Sequence, residues 1–246
     1  MNNCKHTLAA IACTLATSLS YATPTVNVRF DGNIFEGSGS VDFRVSVPER
    51  TVVASVGRFQ GAVTGFSGVS GSIFVDGLND LFMYCYDILE DIGHGASATY
   101  LINQSGETAR TLAFLGTVNT VMSGDGPYNP YAWLHPVSSY QGAAIQLGIW
   151  ESKYELLDAA WDLSSGNFTA SREGSAGGET QQWWDTFKDA IANSKPLSGD
   201  YVMVLENNGV QDMITGAVPE PGSLALLGLG LGGLFWARRR KMTMVD

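Results

Sequence analysis

The sequence predicts an α+β fold. An antiparallel, β-rich N-terminal half, sandwich or barrel-like, precedes a second half with inserted helices, and a short transmembrane helix closes the chain. Three observations predict it. Apolar and polar residues alternate in several short runs before residue 86, the signature of half-buried strands. After Ser105 the spacing becomes helical. An apolar run from Ser223 to Trp236 ends in Arg238, Arg239, Arg240 and Lys241.

The first residues set the compartment. Lys5 and His6 form a weakly basic start, Thr7 to Leu19 is a short apolar stretch, and Ser20-Tyr21-Ala22 is an A-x-A-like cleavage site. Residues 1–22 are therefore expected to be a signal peptide, with a mature chain from Thr23. Residues 23–217 are the expected globular body, enough for one sizeable core. Residues 218–246 are the expected C-terminal signal.

In the body, Val26 to Phe30, Val41 to Val47 and Ser72 to Asp76 alternate and are expected strands. Gly61 to Gly71 has no phosphate-loop order and is expected to form turns and bends. Glu107 to Thr120 is an expected helix with Ala109, Leu112, Ala113 and Leu115 buried. Ser138-Ser139 caps an expected helix through Gln141, Gln146 and Trp150 to Tyr154. Leu163 to Thr180 reads as a polar loop. Gln181 to Ala192 reads as a helix with Trp184, Phe187 and Ile191 inward, and Tyr201 to Leu205 as a closing strand.

Charge excludes some functions. Residues 23–217 hold 9 Lys/Arg against 22 Asp/Glu, a net charge of −13. Nucleic acid and anionic headgroups are bound through basic patches, so no nucleic-acid partner is expected. Neither a Gly-x-Ser-x-Gly elbow nor a zinc motif around His94 and His135 occurs. Asp76, Asp80, Asp87, Glu90 and Asp91 lack calcium-loop order and read as solvated turns. Glu151 and Glu155 read as an exposed pair one helical turn apart. No catalytic set, metal or cofactor is expected, and the chain does not read as an enzyme.

Two features of the body carry chemistry. Cys4 and Cys13 leave with the signal peptide, so Cys85 is the single cysteine of the mature chain and has no intramolecular disulfide partner. Gln146 lies in a helix that is apolar on nearly all sides, so its carboxamide points into protein and needs a partner there. A cysteine sulfur beside a carboxamide can displace ammonia and leave an internal thioester, which is nucleophilic catalysis halted at the acyl stage. Tyr84, Tyr86 and Trp150 are the aromatic residues expected to shield such a bond from water.

Two resemblances follow from these residues. Pro219-Glu220-Pro221, a short Gly-rich apolar helix and the basic stop at Arg238 to Lys241 closely resemble the PEP-CTERM sorting signal of Gram-negative bacteria. The resemblance covers Val218 to Lys241. It implies transient anchoring in the membrane, recognition by an exosortase, cleavage near Pro219, and transfer to the cell surface or extracellular matrix. The basic end stays cytoplasmic by the positive-inside tendency, which puts the body outside. Tyr84-Cys85-Tyr86, followed by Ile145-Gln146-Leu147-Gly148-Ile149-Trp150-Glu151, resembles the Cys-Gln thioester domains of bacterial surface adhesins across Phe74 to Tyr154. Those domains carry an aromatic-Cys motif and a Gln-x-x-aliphatic-Trp motif. Ile145 departs from a frequent Thr, and Gly148 from a small residue such as Ala. The resemblance implies adhesion by acyl transfer from Cys85, leaving Gln146 bound to an amine- or hydroxyl-bearing surface or polysaccharide target. The alternative is a non-covalent glycan-binding or structural exopolysaccharide-matrix protein, with Trp133, Trp161, Trp183 and Trp184 as stacking platforms.

Overall fold

The computed structural model of the protein describes residues 23–35, 37–93, 95–172 and 178–219. The expected signal peptide, Glu220, Pro221, the apolar C-terminal run and its basic stop lie outside the described residues. Among the described residues no helix is long and apolar enough to cross a membrane.

Among the described residues, nine strands and three α-helices form the body: β1 (Thr25–Phe30), β2 (Ser40–Val47), β3 (Arg50–Gly57), β4 (Phe59–Ser67), β5 (Leu81–Cys85), β6 (Ser97–Asn103), α1 (Ala109–Ser123), α2 (Ser139–Tyr154), β7 (Thr169–Arg172), α3 (Gly178–Ala190), β8 (Val202–Glu206) and β9 (Met213–Gly216). Six strands close an antiparallel barrel in the order β1-β4-β5-β9-β8-β6. The remaining three form a second sheet, β3-β2-β7.

Period-two patterning builds both sheets. Val26, Val28 and Phe30 of β1 are buried while Asn27 and Arg29 are exposed. Val41, Phe43, Val45 and Val47 of β2 do the same. These two strands match the sequence-based expectation. The strand expected at Ser72 to Asp76 is instead a 3-10 turn at Gly71–Ile73, followed by a single bridge from Phe74 to Ala217. Ser70 caps that turn by accepting the Ser72 N–H, so hydroxyls compete here with a ladder. The stretch expected to form turns at Gly61 to Gly71 is largely β4, which pairs with β1 from Gly61 to Ser67. Gly61 is needed there: a Cβ would lie 2.7 Å from the Arg29 carbonyl oxygen, closer than real contacts come.

The chain changes sheet at Arg58. β3 runs antiparallel to β2 as far as Gly57, and β4 begins at Phe59 in the barrel. β4 meets β5 only from Gly61↔Leu81 to Phe59↔Met83. The continuation of that ladder, opposite Cys85, is therefore vacated by the strand that should fill it.

Helix α2 sits at the centre of the helical layer, packed on β2, β3, α1 and α3. That explains a run of buried residues from Gln141 to Ser152 on all faces, and Ser138 caps it as expected by accepting the Gln141 N–H. Helix α1 starts two residues later than expected, capped by Thr108. Its buried face is Phe114, Leu115 and Val118 with Arg110, Thr111 and Asn119, while Ala109 is exposed and Leu112 and Ala113 only half-buried. The Phe114 ring packs directly over Gly148, where a Cβ would collide with it. The expected polar loop after Leu163 contains β7, which adds to β2 through Phe43↔Arg172 to Ser46↔Thr169. The closing strand is a hairpin, β8 and β9, that completes the barrel.

Candidate functional site at the end of strand β5

Cys85 is the last residue of β5 and is 2% exposed; Gln146 is fully buried. The two are brought together. The Cys85 N–H donates to Gln146 Oε1 at 2.8 Å, and Gln146 Nε2 donates to the Cys85 carbonyl oxygen at 2.7 Å. The carboxamide thus occupies the ladder position that β4 leaves vacant, and both backbone groups of Cys85 are satisfied by one side chain. On the other side β9 takes over, with Cys85 opposite Met213 and the Tyr86 N–H donating to Asp212 O at 2.7 Å.

The three aromatic residues expected as a shield behave differently. Trp150 is buried, donates from Nε1 to Asp87 O at 3.1 Å, and lines the same pocket as Cys85. Tyr84 and Tyr86 alternate to the opposite side of the strand from the Cys85 side chain. Tyr84 stacks on Trp133 with centroids 5.8 Å apart and donates to Trp133 O. Tyr86 donates to Gly106 O and accepts the Thr108 N–H, which ties β5 to the start of α1. They buttress the strand, and Trp150 lines the pocket that reaches Cys85.

A pocket of about 200 Å³ opens onto Cys85. Val52 to Ser55, Ile88, Trp150 and Gln211 line it, and among the described residues its charged lining is Glu90 and Asp91. Burial, with the Asp87 carboxylate adding to it, pushes the Cys85 thiol well above its ordinary range. The sulfur is therefore held as a neutral thiol.

Two further polar clusters surround the site. Asp87, Glu90 and Asp212 have carboxylate oxygens within 4.8 Å of one another, the grouping by which these residues could hold a cation. Those oxygens already close loops: Asp87 Oδ1 accepts the Leu89 and Glu90 N–H groups, Asp87 Oδ2 that of Asp212, and Glu90 Oε1 that of Gly209. Asp87 is buried, a correction to its expected place in a solvated turn. The Lys153 ammonium lies over the Tyr86 ring at 4.0 Å; burial lowers its pKa, and Asp87, Asp212 and Glu206 pull it back up.

Glu151, expected on an exposed face, is fully buried. Its Oε1 accepts from Arg110 Nη2 at 3.2 Å and from the Asp162 N–H, while its Oε2 has no hydrogen-bond partner among the described residues. Burial pushes its carboxyl up to about 7 against the pull of those donors. Arg110 also donates to Ala159 O and Ala160 O and lies 3.7 Å over the Trp161 ring. Sequence reasoning missed this pair because its halves are forty-one positions apart. Of the expected stacking platforms, Trp133 and Trp184 are buried in the core, while Trp161 and Trp183 are half-buried against Arg110 and Phe187. His135 lies 3.3 Å from Asp76 on the surface, and His94 lies outside the described residues.

The exit of the chain is fixed just as closely. Ala217 bridges Phe74, its carbonyl accepts the Tyr131 hydroxyl, and the Val218 N–H donates to Ile73 O at 2.8 Å. Pro219 follows at once. From this point a model of the PEP-CTERM protein-sorting motif matches residues 217–241. The chain carries a PEP-CTERM sorting motif. That motif marks an exported protein, sorted by an exosortase to the cell surface or extracellular space. No curated protein and no solved structure matches the chain.

Proposed function

We propose that the protein is a surface-attachment module whose body forms an internal thioester between Cys85 Sγ and the side-chain carbonyl carbon of Gln146. The observation that carries the reading is the two-point clamp of the Gln146 carboxamide on the backbone of Cys85. The clamp holds the electrophilic carbon beside the residue that bears the nucleophile, which removes most of the orientational cost of the reaction. The Cys85 N–H already points at Oε1, where charge develops as sulfur adds, and serves as an oxyanion donor.

The chemistry balances within the site. The sulfur of the neutral thiol bonds to the carboxamide carbon. The thiol proton passes to the departing nitrogen, the C–N bond breaks, and ammonia leaves. No external base is needed, which suits a thiol held protonated by burial. A target amine then adds to the acyl carbon, the C–S bond breaks, the thiol is regenerated, and Gln146 becomes amide-linked to the target. Ile145 and Gly148, the two departures from the adhesin pattern, are both buried in α2. Gly148 makes room for Phe114, so the departure has a packing cause.

Intact mass tests the reading. The native exported protein is expected to weigh one ammonia less than its processed sequence. Cys85→Ala and Gln146→Ala each restore the full mass, and methylamine adds to wild type alone. A full sequence mass, with Cys85 freely alkylated after denaturation, ends the proposal.

A further inference from the structure

The pocket beside Cys85 is bordered by one edge of a strand. Val52, Val53, Ala54 and Ser55 are consecutive residues of β3, and all four line it. Alternate residues of a strand face opposite sides of its sheet, so four consecutive residues can share one pocket only along the strand's edge. β3 is the outer strand of its sheet, bonded to β2 on its inner side. Among the described residues its outer edge makes no backbone hydrogen bond.

Edges of this kind are normally blunted by a Lys, a Pro or a bulge. Thr51 to Ser55 contain none of these, and β3 runs in unbroken register with β2. Arg50, at the head of the strand, is turned away into the neighbouring loop, where it donates to Ile88 O, Leu89 O and Asp91. That contact anchors the loop whose Ile88, Glu90 and Asp91 also line the pocket, while Thr51, Val53 and Ser55 of the strand stay exposed. Val53, one of the residues lining the pocket, stands half-exposed.

We infer that the β3 edge receives an extended polypeptide as an added strand and directs a lysine of that polypeptide into the pocket at Cys85. An edge of unpaired N–H and C=O groups is complementary to another backbone; a polysaccharide offers no matching ladder. The pocket, at about 200 Å³, takes one long side chain. Among the described residues that line it, the charged ones, Glu90 and Asp91, are acidic, and a lysine ammonium complements them. Asp91 is shared with Arg50 at 2.8 Å, and Glu90 Oε1 accepts the Gly209 N–H, so both carboxylates are held in place at the rim. The covalent step rests on the thioester reading. Recognition by the strand edge does not.

The experiment separates the two. A short fluorescent peptide of alternating Thr and Val around a central trimethyllysine keeps the charge and cannot acylate. Wild-type exported protein is titrated with it and read by anisotropy. Saturable binding is expected. N-methylation of the alternate amides that face β3 weakens it by about tenfold, the loss of a few net hydrogen bonds, whereas N-methylation of the other alternate set changes it little. Replacing trimethyllysine by norleucine also weakens it. With free lysine at the centre, the peptide is expected to form an amide adduct by mass faster than methylamine at equal concentration. No saturable binding, or binding indifferent to both methylation patterns, overturns the edge. A methylation-sensitive titration with no ammonia deficit and no adduct upholds the edge and overturns the thioester.

Discussion

Gln146 and Glu151 are buried polar side chains on one helix, five residues apart, and the protein treats them in opposite ways. The carboxamide of Gln146 is neutral and has both atoms bonded, each to the backbone of a single residue. The carboxylate of Glu151 faces Arg110 and, among the described residues, keeps one oxygen without a partner. One is a satisfied pair that fills a gap in a ladder. The other is a charged pair that pins the segment at Leu157, Ala159 and Ala160 through Arg110. Burial alone does not distinguish a reactive position from a structural one; what the partner is made of does. In the proposed reading a backbone partner that also carries a sulfur sets up chemistry; a guanidinium partner sets up a staple.

The sharpest way to break this contrast is to remove the staple. Arg110→Ala leaves Glu151 buried beside no cation and is expected to cost about 3–5 kcal/mol, read in denaturant unfolding. A cost below about 1 kcal/mol would mean that Glu151 is held neutral and that the pair is not a charged one. Gln146→Ala comes next. It strands the Cys85 N–H and C=O in the core, at about 2–4 kcal/mol from two unsatisfied groups. Gln146→Glu should recover only part of this, because a carboxylate can accept from the Cys85 N–H but cannot donate to its carbonyl unless protonated. Equal stability of the Ala and Glu variants would show that the clamp contributes little to folding. Gly148→Ala is expected to cost about 1–3 kcal/mol by forcing a methyl against the Phe114 ring. A neutral result would place α1 further from α2 than described.

The smallest expected effect is on pH. The Glu151 carboxyl titrates near 7 in the folded protein, above its ordinary value of 4.5. The folded state therefore holds that proton more tightly than the unfolded state. Its contribution is fully present below pH 4.5 and is lost as pH rises through about 7. The melting temperature should fall between pH 5 and pH 8, and Glu151→Gln should flatten part of that fall. Asp212 and Glu107, also raised by burial, act in the same direction. A melting temperature that climbs over this interval contradicts the assignment.

Local patterning made much of this fold legible. β1, β2, α2 and α3 follow from alternation, a serine cap and an apolar stripe. Tyr84-Cys85-Tyr86 and the Gln146 to Trp150 run stood out because a lone exported thiol and a carboxamide on an apolar helix each demand an explanation. What the sequence hid was non-local. The glycines of β4 look like turn residues, yet Gly61 is there because a neighbouring backbone approaches it. β7 is short and polar and becomes a strand only because β2 presents an edge. Glu151 reads as a surface residue until Arg110 arrives from another helix. The switch between sheets at Arg58, which opens the place that Gln146 fills, leaves no mark in the residues that flank it.

The way the chain leaves the barrel has a mechanical side. Tension on a tethered tail enters at Val218 and runs up β9, which is zipped to β5 on one flank and to β8 on the other. Force applied along a strand with neighbours on both sides loads its hydrogen bonds in shear, so they must fail together and not one after another. The bonds of Ala217 and Val218 to Tyr201 and Ile73 take the first of that load. Cys85 lies opposite Met213, at the far end of the same ladder from the point of traction. A body held by its tail in moving fluid would share that load along the whole ladder, the rung beside its sulfur included.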